Sequence, residues 1–171
     1  MRLGWLAALA ALVLTGTEAE AAPLKIYTQW KGAALPLDVV NGGELDNFVH
    51  LAPAGNFSGQ QWTMTPASGG TFRLTTEFRG KDMCLDVVRD SSKGSALRAA
   101  GSGGGLDGFL KLTPCGNHEG QYWTSQPEGE WVRLRPQFWK LCLDVVNGGK
   151  MDGFAHMAEC GDYSGQHWKV E

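Results

Sequence analysis

Charge is scarce and nearly balanced. Fifteen lysines and arginines stand against eighteen acids, a net charge of −3 at pH 7. Nothing in that balance draws the chain to nucleic acid or to an anionic membrane. Long helical periodicity is missing, which argues against a helical bundle. The longest apolar run, at 5–14, is too short to span a bilayer as a helix. There is no G-x-S-x-G elbow and no phosphate-binding loop. His50, His156 and His167 belong to no short metal-ligand cluster, and no cofactor is implied. Among the present residues, glycine is abundant at 24. Many short strands joined by tight turns would use it.

The first residues read as a secretory signal. Met1 and Arg2 give a basic start, the apolar run follows, and Ala19-Glu20-Ala21 puts small residues where a signal peptidase reads. No cysteine follows the run, so no lipid anchor is expected there. Removal of 1–21 takes Arg2, Glu18 and Glu20 and leaves a domain at 22–171 with a net charge of −2. The expected destination is extracellular or periplasmic. Four cysteines in that oxidising setting are expected to form two disulfides.

The remaining chain repeats itself. "LDVVNGG" stands at 37–43 and 143–149, with "LDVVRD" at 85–90 between them. Each is followed by a second phrase: "SGQQW" at 58–62, "EGQYW" at 119–123 and "SGQHW" at 164–168. Aspartate to tryptophan spans 24, 37 and 24 residues. The middle excess lies in a Gly/Ser/Ala stretch at 89–105, which reads as an extended loop. Each repeat opens on an echo: "TQWKG" at 28–32, "TEFRG" at 76–80 and "PQFWK" at 136–140. The repeats cover about 26–72, 73–132 and 133–171. Threefold repetition at this period signals a closed, symmetric all-β architecture.

The repeat also pairs the cysteines. Cys84 and Cys142 stand two residues before the repeat aspartate, and Cys115 and Cys160 eight before the repeat tryptophan. Repeat one has Pro36 and Ala54 at both places. Bridges Cys84–Cys115 and Cys142–Cys160 follow, and repeat one has lost its pair as a unit. In "LDVV" side chains alternate, so Leu37 faces the core and Asp38 the surface. The "NGG" that follows signals a tight hairpin. A second strand is expected at 47–52, 108–113 and 153–158, with Leu51, Leu112 and Met157 in the core. Trp62, Trp123 and Trp168 are expected to be buried.

A tripled "CLDV…C…GQxW" resembles the ricin B-type lectin modules, of the secreted bacterial kind, over about 26–170. The resemblance implies a β-trefoil of six hairpins and up to three shallow sugar sites, for galactose-type or related glycans. It implies that Asp38, Asp86 and Asp144 accept hydrogen bonds from sugar hydroxyls. It places a polar second-strand contact at His50, Lys111 and His156, and a supporting glutamine at Gln60, Gln121 and Gln166. Asn41 and Asn147 join the candidates beside the first and third aspartates. Two family positions depart from the pattern. The usual aromatic falls on Ala52, Thr113 and Ala158, and the usual asparagine on Gly59, Gly120 and Gly165. Phe57 and Tyr163, three residues before Gln60 and Gln166, offer a replacement stacking face; His118 stands there in repeat two.

Plainer roles compete. The aspartates could organise turns through backbone amides. The glutamines could satisfy buried backbone, and the histidines could be half-surface strand residues standing far apart. Asn56-Phe57-Ser58 matches an N-glycosylation sequon, relevant only in a eukaryotic secretory pathway. The expected function is a secreted, non-catalytic, carbohydrate-binding module with its best sites on repeats one and three. The alternative is a protein-interaction trefoil, such as a receptor-binding subunit of a toxin-like complex, with decayed sugar sites.

Overall fold

The computed structural model describes residues 22–89, 106–137 and 139–171. The expected signal at 1–21 and most of the Gly/Ser/Ala stretch lie outside the described residues.

The described strands come in fours, and each repeat supplies one set. Repeat one holds β1 (Ile26–Thr28), β2 (Leu37–Val39), β3 (Val49–Leu51) and β4 (Trp62–Pro66). Repeat two holds β5 (Phe72–Thr76), β6 (Gly80–Val87), β7 (Leu110–Pro114) and β8 (Trp123–Glu128). Repeat three holds β9 (Trp131–Pro136), β10 (Leu141–Val145), β11 (Ala155–Glu159) and β12 (Trp168–Val170). The outer strands of each set pair antiparallel around a ring, β1 to β12, β12 to β9, β9 to β8, β8 to β5 and β5 to β4. A bridge between Leu24 and Trp62 closes it. Among the described residues, closure pairs the outer strands with one another and so removes the edges an open sheet would present.

The inner strands of each set form a hairpin, and the three hairpins cap one end of the barrel. Their registers are equivalent: Leu37 opposite Leu51, Leu85 opposite Leu112, Leu143 opposite Met157. Most of these leucine-type positions are buried, though Leu51 is half-buried. The "NGG" segments do not make two-residue turns. Val40 N–H donates to the Phe48 carbonyl at 2.8 Å, and Gly42 and Gly43 take positive φ inside a longer loop. The reason is a carboxylate three residues beyond: Asp46 accepts from Gly42 N–H, as Asp152 does from Gly148 N–H. Each loop is thereby held open and rigid. Two bridges, Cys84–Cys115 and Cys142–Cys160, staple the hairpins of repeats two and three.

Neighbouring hairpins are joined by matching hydrogen bonds. Leu112 N–H donates to Asn47 at 2.9 Å, Met157 to Gly108 at 2.7 Å and Leu51 to Gly153 at 2.8 Å. The acceptor residue has φ of +68°, +82° and +81° respectively. Glycine tolerates that conformation freely, and asparagine is among the few others that do. The core beneath centres on Trp62, Trp123 and Trp168, all fully buried. Each indole N–H donates to the carbonyl of the leucine before its own repeat's aspartate, Leu37, Leu85 or Leu143, at 2.9, 3.1 and 2.9 Å. Burying a ring of this size contributes roughly 1.5–3 kcal/mol, and the bonded N–H removes the polar penalty.

Candidate functional site

Each repeat aspartate sits on the first strand of its hairpin, with both carboxylate oxygens already engaged. Oδ1 accepts the N–H of the next residue: Val39 at 2.7 Å, Val87 at 2.8 Å, Val145 at 2.7 Å. Oδ2 accepts the Nε2 of the repeat glutamine, at 2.9 Å for Gln60, 3.0 Å for Gln121 and 2.8 Å for Gln166. A carboxylate oxygen can accept two bonds, so both oxygens of Asp38 and Asp144 keep capacity for a ligand hydroxyl.

The glutamines are fully buried and have no surface to offer a ligand. Their place is behind the aspartates. Besides the carboxylate, Nε2 donates to the carbonyls of Pro53, Pro114 and Glu159 at 2.9, 3.0 and 2.9 Å. Oε1 accepts from Gly55, Gly116 and Gly161 at 3.0, 2.9 and 2.9 Å. One amide thus ties the aspartate, a carbonyl and a loop glycine into one rigid unit. A basic residue on the first strand of each repeat, or just before it in repeat one, backs the same glycine: Lys25, Arg73 and Arg133 donate to its carbonyl at 2.9, 2.6 and 3.1 Å. That third basic position went unread in the sequence, where "KIYT", "RLTT" and "RLRP" carry it.

The departures from the family pattern now have physical causes. A Cβ at Gly59, Gly120 or Gly165 would stand 2.2, 2.2 or 2.4 Å from the aspartate Oδ1. The inward turn of the carboxylate occupies the space an asparagine would need. The glycines tied by the glutamines are small for another reason. Phe57, His118 and Tyr163 fold their rings back over Gly55, Gly116 and Gly161, coming within 2.3, 2.7 and 2.3 Å of where a Cβ would sit. Each loop ring therefore lies directly over the backbone of its own loop. Phe57 and Tyr163 remain 58% and 62% exposed, the large hydrophobics most open to solvent among the described residues.

Two matching clefts result, each of about 370 Å³. In repeat one Asp38, Asn41, Asn56, Phe57 and Phe78 border the opening. In repeat three Asp144, Asn147, Asp162, Tyr163 and Trp30 do so. Their size falls within the ordinary range of small-ligand sites. The structure thus brings together Asp38, Asn41 and Phe57, and likewise Asp144, Asn147 and Tyr163. It does not bring in His50 and His156. They stand opposite Asp38 and Asp144 across the hairpins, yet His50 stacks on Phe154 at 5.4 Å and His156 tilts against Phe109 at 6.1 Å. Lys111 holds its ammonium 5.1 Å above Phe48 in the third such pair. His50 thus lies against Phe154, two residues before His156. Adjacent hairpins pack there, and an aromatic from the preceding repeat around the ring lies against each histidine. Burial holds both histidines below their ordinary pKa, with Asp38 and Asp144 pulling the other way. Among the described residues no group of three His, Cys, Asp or Glu could hold a metal.

Repeat two is built differently around Asp86. Thr113 Oγ1 adds a bond to Asp86 Oδ2 at 2.8 Å, and Gln121 reaches Thr113 at 2.9 Å. The Trp139 ring stands 3.3 Å from a Cβ placed on Gly120. Arg89 lies 5.2 Å above Trp139 and 3.5 Å from the Glu119 carboxylate.

No protein-family model matches the sequence, and no curated protein does. Solved structures do match. A designed 3-fold symmetric protein, ThreeFoil, is 19% identical with a TM-score of 0.66, covering 86% of this chain and 96% of its own. The Macrolepiota procera ricin B-like lectin in complex with lactose is 16% identical with a TM-score of 0.60, covering 91% and 99%. A mosquitocidal holotoxin is 15% identical with a TM-score of 0.66, and the match covers 90% of this chain but 17% of the toxin. Likeness at these identities speaks to the fold alone, and the fold is a β-trefoil.

Proposed function

We propose that this chain is a secreted, non-catalytic carbohydrate-binding module with shallow glycan sites on repeats one and three. One observation carries the reading: the same small cleft is built twice, each with a preorganised aspartate and an exposed aromatic ring. An open aromatic lying over its own backbone costs little entropy to use. It offers a face to sugar C–H groups while the carboxylate accepts hydroxyls. The two disulfides support an oxidising destination. Among the described residues no helix is long and apolar enough to cross a membrane. Single shallow sites bind weakly, so engagement of a glycan surface by both sites together supplies the working avidity. The test is a glycan-array screen of residues 22–171 with disulfides formed, beside Asp38→Ala and Asp144→Ala. Binding to a defined glycan class, weakened by each change, is the expected result; binding that ignores both aspartates sinks the reading.

A second reading has its own support. The aspartate oxygens face inward to backbone and glutamine, as a turn scaffold would, and Phe57 and Tyr163 suit a protein surface as well as a sugar. In that case the module docks a partner in a secreted complex, and the matched holotoxin is an example of a larger assembly holding such a fold. Stable copurification with one secreted protein, with no glycan signal, would favour it.

A further inference from the structure

The echoes that open the repeats, "TQWKG", "TEFRG" and "PQFWK", have no part in the family pattern described above. Their aromatic residues nevertheless reach the clefts, and each reaches the cleft of the preceding repeat. Phe78, in the first turn of repeat two, borders the cleft of Asp38 in repeat one. Trp30, at the start of repeat one, borders the cleft of Asp144 in repeat three. Backbone bonds fix the crossing: Phe78 N–H donates to the Ser58 carbonyl at 3.3 Å, and Trp30 N–H to the Ser164 carbonyl at 3.1 Å. Ser58 and Ser164 follow Phe57 and Tyr163 directly, so each borrowed ring is anchored beside the platform ring. A cation covers one face of each, Arg79 over Phe78 at 4.1 Å and Lys31 over Trp30 at 3.9 Å. Arg79 is itself pinned by Asp46 at 2.7 and 2.9 Å. Each ring also packs in part against the hydrophobic core, and the remainder of it borders the cleft.

We propose that Trp30 and Phe78 contact the ligand, so that each site is shared by two repeats and selects pyranosides whose hydroxyls are all equatorial. The inference rests on the glycan reading above and names its sugar class. Two rings in one small cleft offer two apolar surfaces. A gluco-configured pyranose presents C–H groups on both of its faces. A galacto-configured one turns an axial 4-hydroxyl out of one face, and an aromatic surface there leaves that hydroxyl without a partner.

Cellobiose and lactose differ only in that hydroxyl and make the direct test. By calorimetric titration of residues 22–171, cellobiose is expected to bind roughly 2- to 10-fold more tightly than lactose, the span of one aromatic contact. In a Phe57→Ala background, which leaves the repeat-three site, Trp30→Leu weakens cellobiose binding by a similar factor. In a Tyr163→Ala background Phe78→Leu does the same. Trp30 is half-buried, so its substitution is paired with a measurement on the unaltered chain. With 5-fluorotryptophan incorporated, the Trp30 fluorine resonance moves with cellobiose, while those of buried Trp62, Trp123 and Trp168 stay. Lactose binding as tightly as cellobiose overturns the sugar class. A silent Trp30 resonance in a chain that binds overturns the shared site. Failure to bind any saccharide on the array removes the glycan reading itself, an outcome distinct from either.

Discussion

Repeats one and three differ from repeat two in how they spend the same parts. All have the aspartate, the buried glutamine and the indole bonded to a leucine carbonyl. In repeats one and three the loop aromatic lies open on its glycine and the cleft beside the aspartate is free. In repeat two Thr113 joins Asp86 and Gln121, histidine replaces the platform ring, and Arg89 rests between Trp139 and Glu119. The geometry behind the aspartate is thus a device of the fold, since it is the same where the residues in front of it differ. What distinguishes a site from a scaffold is the residue in front.

The staples divide the repeats another way, and removing them has the largest expected effect. Replacing Cys142 and Cys160 by alanine should cost about 3 kcal/mol, from the loop-closure entropy of a bridge spanning 18 residues. Urea unfolding checks it. The converse sharpens the comparison: Pro36→Cys with Ala54→Cys gives repeat one the bridge that its counterparts make across Cα separations of 5.0 and 5.1 Å. A gap of about 300 Å³ lined by Pro36, Ala54, Lys25 and Tyr27 marks the place. The doubly substituted chain should unfold at higher urea when oxidised than when reduced.

A smaller effect tests the buried amides. Gln166→Leu leaves the Gly161 N–H, the Glu159 carbonyl and one Asp144 oxygen short of a partner and should cost about 2–3 kcal/mol. Gln121→Leu should cost about as much by the same unfolding measurement. Their binding should separate them: glycan affinity falls most for Gln166→Leu, because repeat three loses its held aspartate and loop. Equal losses of binding would break the distinction between the repeats.

The smallest effect is on pH. Folding holds His50 and His156 below their ordinary pKa, mainly by burial. The unfolded chain takes up protons first as pH falls through about 6.5, so acid favours unfolding there. Stability is full above that value and declines below it, until the folded histidines also charge. Both rings keep some exposure, which trims the effect; a Tm shift of about 2–4 °C or less between pH 7 and 5 is expected. His50→Gln with His156→Gln should flatten the profile.

Much of this was legible because the repeats stand in register. The aspartates, the leucines behind them, the cysteine pairs and the tryptophans occupy matching positions, and alternation along a strand assigns their faces. Loop geometry was less legible. The "NGG" segments read as tight turns because Asp46 and Asp152, which hold the loops open, act across the turn. The histidines read as separate surface residues because their aromatic partners come from neighbouring repeats. Trp30 and Phe78 were visible as an echo, but their place depends on which strands close the ring, and that is a property of the whole chain.

The ring closes where β1 meets β12, with Ile26 opposite Val170 and Lys25 and Glu171 exchanging backbone bonds. This seam imposes an order on time. During synthesis the first strand must wait for the last, since Trp168 completes the core and Ser164 anchors Trp30. Contacts so distant in sequence make folding slow and leave apolar strands uncovered meanwhile. A nascent chain halted before β12 would hold both Asp144 and Trp30, and lack the strand that closes the ring between their repeats.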